Sequence, residues 1–589
     1  MILYLEKGVL NMPGFMGIVS DKVYDFPEDF DLSFPVLTSR KEETKRFENA
    51  WFKRSIIDKF TDDKVFSEDR EVFICSDGLM LNARELRNKY SCEDDFHLLK
   101  RLYGNSLSSF PSELRGDFDG VIYDKTSDSW TVYTNHIGSK WVFYYFDEEA
   151  KCFVFGTELK MVIAGMRALG IEPELCEEGS YFLLTFGYML GDYTLVKGVK
   201  KLSPGSTLTL KNWELESKEY YRLRNTPYVE DSEDKIIKTL DQLFRDAIKA
   251  EYDKDLEYGY RHVATLSGGL DSRMNVCYAR KLGYKDILNI TFSQSNYLDE
   301  QIAKQIASDW GNDFLFYSLD NGNYLKDIES PLIAYEGLML YSASAHGLAM
   351  HSIISWSTIG LVHTGMIGDL ILGSYLPHTH HSKVSEEIIK KTAYSTRLIQ
   401  KTDPEVLAEL KSVYATDELF AFGERCINGV FNGYRVSESF SEYASPFLHV
   451  DFLDYAMAIS PVLRYEEKVY LDWIIQEAPE AAKYPWEKTG LPISAGKFRK
   501  FVRKGMRYAR RKTLGPSPMD SMNPFNYWYK TNDSLRETFE NYFEKHIDLL
   551  SHRPELRRDV EKMFNEGTPL EKTQPLTLLA AIKLHGLEK

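Results

Sequence analysis

Apolar positions in the first two hundred residues come in short runs rather than in long periodic faces. The segments "GIVS", "EVFICSDG", "DGVIYD", "SWTVYTN", "WVFYYF", "CFVFGTE" and "STLTL" are β-branched or aromatic. Each is bounded by Gly, Asp, Asn or Ser, the pattern of strands separated by turns. Helical spacing interrupts them at "NARELRNKY" and "DDFHLLKRLYG". The pattern predicts a mixed sheet domain over residues 12–210, followed by a polar linker at 211–230.

From residue 231 the rhythm changes. "IIKTLDQLFRDAIKAEY" repeats apolar positions every three or four residues, as a helix does. Strand-like "HVATL", "ILNITFS" and "DFLFYSL" then alternate with helices beginning near Arg273 and at "DEQIAKQIASDW". Alternation of this kind predicts parallel strands with crossover helices. Beyond Ala334 the chain reads as mostly helical, apart from "TIGLVHTG". The second domain is expected over 231–589.

Composition narrows the class. The chain has 589 residues, 43% of them hydrophobic and 14% aromatic, with a net charge of −16. That length exceeds one compact core, and the acidic balance disfavours generic binding to nucleic acid or anionic membrane. Its six cysteines are scattered, with no Cys-x-x-Cys pair, which reads as free thiols in a reducing compartment. No leader pattern and no run long enough to span a membrane is visible. A cytoplasmic location is the expectation.

Chemistry concentrates at "HVATLSGGLDSRMNV", residues 262–276. An apolar strand stops at Ser-Gly-Gly, and an Asp-Ser pair opens the next helix. Helix N-termini carry unpaired N–H groups, and glycines let a phosphate approach them closely. An Asp at that point can hold magnesium against the same phosphates. The Gly-Lys-Ser/Thr of a Walker loop is absent. A plain glycine turn with an Asp cap is the competing reading.

SGGLDS resembles the PP-loop of ATP pyrophosphatases, which split ATP into AMP and pyrophosphate while adenylating a substrate. Further segments narrow the likeness to the asparagine synthetase family. These are "FSQSNYLDEQIAKQIA", "HTGMIGDLILGSY", "SEYASPFLHVDFLDYAMAISP" and "EKVYLDWIIQEAPEAAKYPWEKTGLPI". In the first domain "MPGFMGIV", "SDGLMLNARELR", "LRGDFDGVIYD", "TNHIGSKWVFYY" and "FGTELKMVI" follow in the family's order. The resemblance implies an α/β protein. An N-terminal Ntn-hydrolase-like sandwich of glutamine amidotransferase type would precede an adenine nucleotide alpha hydrolase-like parallel-sheet domain with a helical C-terminal part.

The same resemblance implies ATP and Mg2+ as cofactors. Leu266, Ser267, Gly268, Gly269, Asp271, Ser272, Phe292, Thr364 and Gly365 would bind ATP and pyrophosphate. Asp271 and Asp369 would hold the metal. Lys488 would stabilise charge as the amine attacks the acyl adenylate, Lys468 would contact phosphates, and Glu442 would orient or deprotonate the amine. A carboxylate substrate and an ammonia or amine donor are the expected partners. No nucleic acid or membrane span is expected, and a homodimer is compatible with the family.

Departures from the family pattern carry information. Pro13 stands where the family's glutaminase has its nucleophilic cysteine, and it offers neither thiol nor primary amine. Asp77 stands where the family has Asn, which adds a negative charge that disfavours a substrate carboxylate, and Glu93 stands where it has Asp. Glutaminase activity is expected to be absent. Met366 also differs from the family's residue, which leaves the amine donor open, and Leu370 replaces the family's Glu beside Asp369, a difference at the ATP end.

The first functional reading is an ATP-dependent ligase amidating an aspartate or sugar carboxylate. A lasso-peptide or β-lactam type cyclase forming an intramolecular amide is the second, and a silent nucleotide-binding scaffold the third. "HTHH", His378–His381, reads as a solvated loop rather than a zinc site. The basic run 497–512 reads equally as a snorkelling helix or as a dock for an anionic substrate.

Overall fold

The computed structural model describes residues 12–27, 40–343, 345–495, 512–513 and 517–588. All of the basic run 497–512 except Lys512 lies outside them.

The first half builds two antiparallel sheets from the short apolar runs. One sheet contains β1 (Gly14–Ser20), β2 (Arg40–Arg46), β3 (Ala50–Ile57), β8 (Phe143–Asp147), β9 (Cys152–Gly156) and β10 (Lys200–Lys201), in the order β10-β8-β9-β1-β3-β2. The other contains β4 (Phe66–Glu68), β5 (Val72–Gly78), β6 (Phe118–Asp124), β7 (Ser129–Thr134), β11 (Ser206–Lys211) and β12 (Glu214–Glu219), in the order β12-β11-β7-β6-β5-β4. Alternate residues of a strand face one side. Phe15, Phe52, Phe153 and Phe155 of the first sheet therefore meet Phe73, Val121, Trp130 and Leu208 of the second in one aromatic layer.

Helices close both outer faces. On the second sheet α1 (Ala83–Tyr90) and α2 (Asp95–Asn105) set Leu86, Leu98 and Leu102 against Ile74 and Ile122. On the first, α3 (Leu159–Ala168) covers Met16, Ile18 and Val154, and α4 (Glu177–Phe186) belongs to the same apolar cluster. The result is the α/β/β/α sandwich expected for this half.

β12 falls within 211–230, the stretch expected to link the domains. It pairs along its whole length with β11, Leu210 opposite Leu215 and Thr207 opposite Lys218. Its sequence ELESKE is almost all polar because it is an exposed edge strand. Charge is a common way of blunting a sheet edge, and here it hides the strand from a search for apolar alternation.

The second half is a five-stranded parallel sheet ordered β15-β14-β13-β16-β17. Its strands are β13 (Arg261–Thr265), β14 (Leu288–Ser293), β15 (Asp313–Ser318), β16 (Ile359–His363) and β17 (Tyr443–Ala444). Parallel strands need crossovers, which α6 (Asp271–Lys281) and α7 (Leu298–Trp310) supply in part. The long helix α5 (Glu233–Glu257) carries a stripe of Ile236, Leu240, Phe244, Ile248 and Tyr252 into the core under this sheet. At the C-terminal end α8 (Lys468–Glu477) is followed by α9 (Asp533–His546), α10 (Pro554–Glu566) and α11 (Pro569–His585).

The two halves share a core. One hydrophobic cluster runs from Met16, Phe182 and Leu195 in the first half to Tyr335, Leu340, Leu578 and Ile582 in the second. Polar contacts reinforce it. Glu336 accepts hydrogen bonds from the N–H groups of Leu159 and Lys160 at the start of α3, and His585 Nε2 lies 2.8 Å from the Glu336 carbonyl. Among the described residues no helix is long and apolar enough to cross a membrane.

Candidate active site

The loop between β13 and α6 opens into a cavity of about 690 Å³ at the C-terminal ends of the parallel strands. In open parallel sheets this end is where ligands bind. Leu266, Ser267, Gly269, Asp271, Ser272, Phe292, Gly365, Asp369 and Lys488 all line it.

Within the loop several N–H groups are engaged by the protein itself. Ser267 N–H donates to Ser272 Oγ at 3.0 Å, Gly269 N–H to Ser267 Oγ at 3.1 Å, and Gly268 N–H to Asp299 Oδ1 at 2.8 Å. Gly268 is therefore a structural corner rather than a lining residue. A Cβ there would lie 2.8 Å from Glu487 Cβ and 3.0 Å from Asp299 Oδ1. Arg273 clamps the corner from below, donating to the carbonyls of Gly268, Ala481 and Pro485. First-turn N–H groups of α6 remain as the helix-end donors facing the cavity.

Asp271 and Asp369 meet, although 98 residues separate them. The N–H of Asp369 donates to Asp271 Oδ2 at 3.0 Å, and the Tyr470 hydroxyl on α8 donates to Asp271 Oδ1 at 2.7 Å. Burial, and then the charge of Asp369, push the Asp271 carboxyl well above the usual carboxylate range. Gly365 makes the approach possible. A Cβ at 365 would stand 2.2 Å from Ser272 N and 2.3 Å from the Asp271 carbonyl carbon. Ile367, in the same 364–369 turn, has φ +67°, a left-handed conformation that costs energy for a β-branched residue and that clusters at functional sites.

Thr364 is buried behind the cavity. Its N–H and its hydroxyl both donate to the Ala444 carbonyl, which ties the turn to β17. Lys488 reaches Glu467 Oε2 at 2.6 Å and lies 4.8 Å from the Trp486 ring centroid. Glu467 itself is left-handed at φ +61° and lines the same wall.

Two expected site residues lie elsewhere. Lys468 is half exposed and pairs with Glu233 on α5 and with Asp472. It starts α8, so its side chain leaves the wall that Tyr470, two residues on, faces. Glu442 is 1% exposed and does not line the cavity. Lys140 Nζ and Lys64 Nζ, both from the first domain, stand 2.7 Å from its two oxygens. Burial would raise the carboxyl, but Lys140 and Lys64 overcome it and hold it at about 2.

Sequence reasoning missed Tyr470, Asp299, Glu467 and Glu487, all in the cavity lining. Asp299 had a signal, the Asp-Glu pair opening α7. Tyr470 had none, because its partner is 199 residues away.

In the first domain Pro13 is buried just ahead of β1. Asp77 is 2% exposed, opposite Asp119 on β6 and 3.7 Å from Lys64 Nζ. Glu93 is exposed, just before α2. Asp95, two residues on, is the buried carboxylate, paired with Arg87 at 2.6 Å. Asp94 caps α2 through the N–H of His97, and the inward-facing carboxylate is the residue after the cap. Cys75 is fully buried on β5, and burial pushes its thiol far up.

The His378–His381 loop is solvated at its tip. His378 and His380 stack on each other with ring centroids 5.5 Å apart, while His381 turns inward to Glu418 at 2.9 Å.

Comparisons with known proteins agree with this layout. Residues 44–221 match the model of a glutamine amidotransferase domain, and residues 239–423 match that of asparagine synthase. The chain is 24% identical over 270 residues to asparagine synthetase (glutamine-hydrolyzing) 1 of Bacillus subtilis, covering 44% of this chain and 41% of that one. It is 22% identical over 462 residues to the nodule asparagine synthetase (glutamine-hydrolyzing) of Pisum sativum, covering 73% and 67%. It is 26% identical over 308 residues to amidase chry2 of Gibberella zeae, covering 49% and 44%. The match thus spans less than half the length of two of these three relatives. With a glutamine amidotransferase-type domain joined to a parallel-sheet domain that carries the SGGLDS loop, the chain belongs to the asparagine synthetase family.

Proposed function

We propose that the protein is an ATP-dependent amide-forming ligase. A substrate carboxylate attacks the α-phosphorus of ATP, pyrophosphate leaves, and ammonia or an amine then displaces AMP from the acyl adenylate. The observation that carries this reading is the meeting of Asp271 and Asp369 at the mouth of a glycine-opened loop. Neither carboxylate has a Lys, Arg or His ion-pair partner among the described residues. Two such carboxylates facing one cavity fit a hard divalent cation with oxygen ligands. Magnesium held there would neutralise the phosphates during adenylyl transfer.

The chain's own groups supply the rest. First-turn N–H groups of α6 and the hydroxyls of Ser267 and Ser272 hold the phosphates. Tyr470 fixes one Asp271 oxygen. Lys488, at the cavity wall, offsets negative charge on the tetrahedral adduct formed when the amine adds. Glu442 is sealed by two lysines and takes no proton from the amine. The donor therefore arrives as free ammonia or as an amine that deprotonates without it. Pro13 in place of a nucleophile, together with the buried Asp77 carboxylate, supports absence of glutaminase activity.

The test is pyrophosphate release from ATP–Mg2+ with a panel of carboxylates, including aspartate, uronic acids and peptides, with and without ammonium. Steady-state release that depends on one acid and on ammonium or an amine, and that falls to a single-turnover burst in Lys488→Ala, supports the ligase. Silence with every acid, while ATP still binds by calorimetry, overturns it.

A further inference from the structure

A second cluster of chemistry-bearing side chains lies on the α5 face of the parallel sheet, away from the nucleotide cavity. β13 contributes His262 and β16 contributes His363. Ala264 pairs with His363 in the ladder, and His262 lies two residues before Ala264, so both imidazoles stand on one face. Helix α5 brings Glu251 and Asp255, four residues apart and hence on one side of the helix.

Donor atoms converge there on a single point. His262 Nδ1 and His363 Nε2 each lie 2.8 Å from the same oxygen, Asp255 Oδ2. All three side chains are buried. Asp255's other oxygen accepts the Leu361 N–H at 2.7 Å. Glycine at position 360 is what admits the carboxylate, since a Cβ there would stand 2.0 Å from Asp255 Oδ1. The far nitrogen of His363 faces Glu251 Oε2 at 3.5 Å. Tyr252 lies flat on the His363 ring at 3.7 Å and fixes its plane.

We propose that Asp255, His262 and His363 form a structural binding site for a divalent first-row transition ion, zinc being the best match, with Glu251 orienting His363 from behind. Two imidazole nitrogens and one carboxylate oxygen are a donor set suited to zinc. A carboxylate on the far nitrogen of a ligating histidine is the usual second support of such a centre. The ion would join α5 to the two strands that lead into Ser267 and Thr364. This site stands independently of the ligase reading.

The full chain, produced with a histidine-free tag in zinc-supplemented medium and dialysed exhaustively, is the material for the test. Mass-spectrometric metal analysis should find about one zinc per chain. X-ray absorption should show two imidazoles and an oxygen ligand. His262→Gln and His363→Gln should each lower the zinc at least about five-fold, while the His378→Gln/His380→Gln double variant keeps it. If the single variants fold poorly, the absorption spectrum of the unaltered chain decides. Wild-type chain that holds no first-row transition metal and takes up none when refolded with Zn2+ or Co2+ overturns the proposal. So does a sulfur-containing shell, or loss of zinc in the double variant.

Discussion

Lys140 Nζ lies 2.7 Å from Glu442 Oε2, joining the two domains across 302 residues of sequence. Lys64 holds the other oxygen, and all three side chains are nearly inaccessible. Removing one member of a buried ionic cluster leaves its partners uncompensated, which costs about 3–5 kcal/mol. Glu442→Gln is expected to lose that much stability by urea denaturation, and Lys140→Met or Lys64→Met nearly as much. The pH dependence has a definite sign. A carboxyl lowered from 4.5 to about 2 in the folded chain contributes stability that is complete above its unfolded value. That contribution drains away as pH falls from about 4.5 toward 2, and Glu442→Gln should flatten this part of the curve.

Lys488 and Lys468 come from one stretch of sequence, yet only the first lines the cavity. Lys488→Ala is expected to lower kcat for amide formation by about 10²–10³, the effect of removing one charge-stabilising group. Lys468→Ala, which breaks a half-exposed pair with Glu233, should change kcat less than about two-fold and stability by less than about 1 kcal/mol. Steady-state kinetics on both variants separates the two roles.

Glycines 365 and 269 should differ as sharply. A Cβ at 365 meets backbone atoms of Asp271 and Ser272 that cannot move away, whereas a Cβ at 269 meets only the Ser267 hydroxyl, at 3.1 Å. Gly365→Ala should abolish MgATP-dependent thermal stabilisation and cost about 2–3 kcal/mol, in the range of overpacking. Gly269→Ala should keep most of that stabilisation. Differential scanning fluorimetry with and without MgATP reads both.

Glutamine should neither stimulate the reaction nor be hydrolysed. Restoring the thiol alone, as Pro13→Cys, should yield no glutamate in a coupled assay, because Asp77 beside Asp119 still opposes a substrate carboxylate. Glutamate release by the unaltered chain would remove the basis for reading this domain as silent.

What could be read from the chain was what is local. The strands of the first sheets, the β13 loop and the α7 start are each specified within about ten residues, by alternation, glycine and turn chemistry. The pair Asp271 and Asp369 was legible only because each sits in its own motif. Features made by distant partners were not legible. Glu442 stands in a recognisable segment, but its lysines come from the other domain and turn a presumed base into a buried anchor. Asp255, His262 and His363 carry no motif, since a helix and two strands must assemble before their donor atoms meet. β12 was hidden by its own polarity, and β17 by being two residues long.

The hydrophobic cluster that mingles Phe182 and Leu195 with Leu578 and Ile582 bears on how the chain can be divided. Cut between residues 220 and 232, each fragment would be left with a raw oily flank and neither would stay in solution by itself. Produced together in one cell they should seek each other out and rebuild the whole, as a split reporter does. The amidotransferase-type half is thus a permanent wall of its neighbour, whether or not it ever touches glutamine.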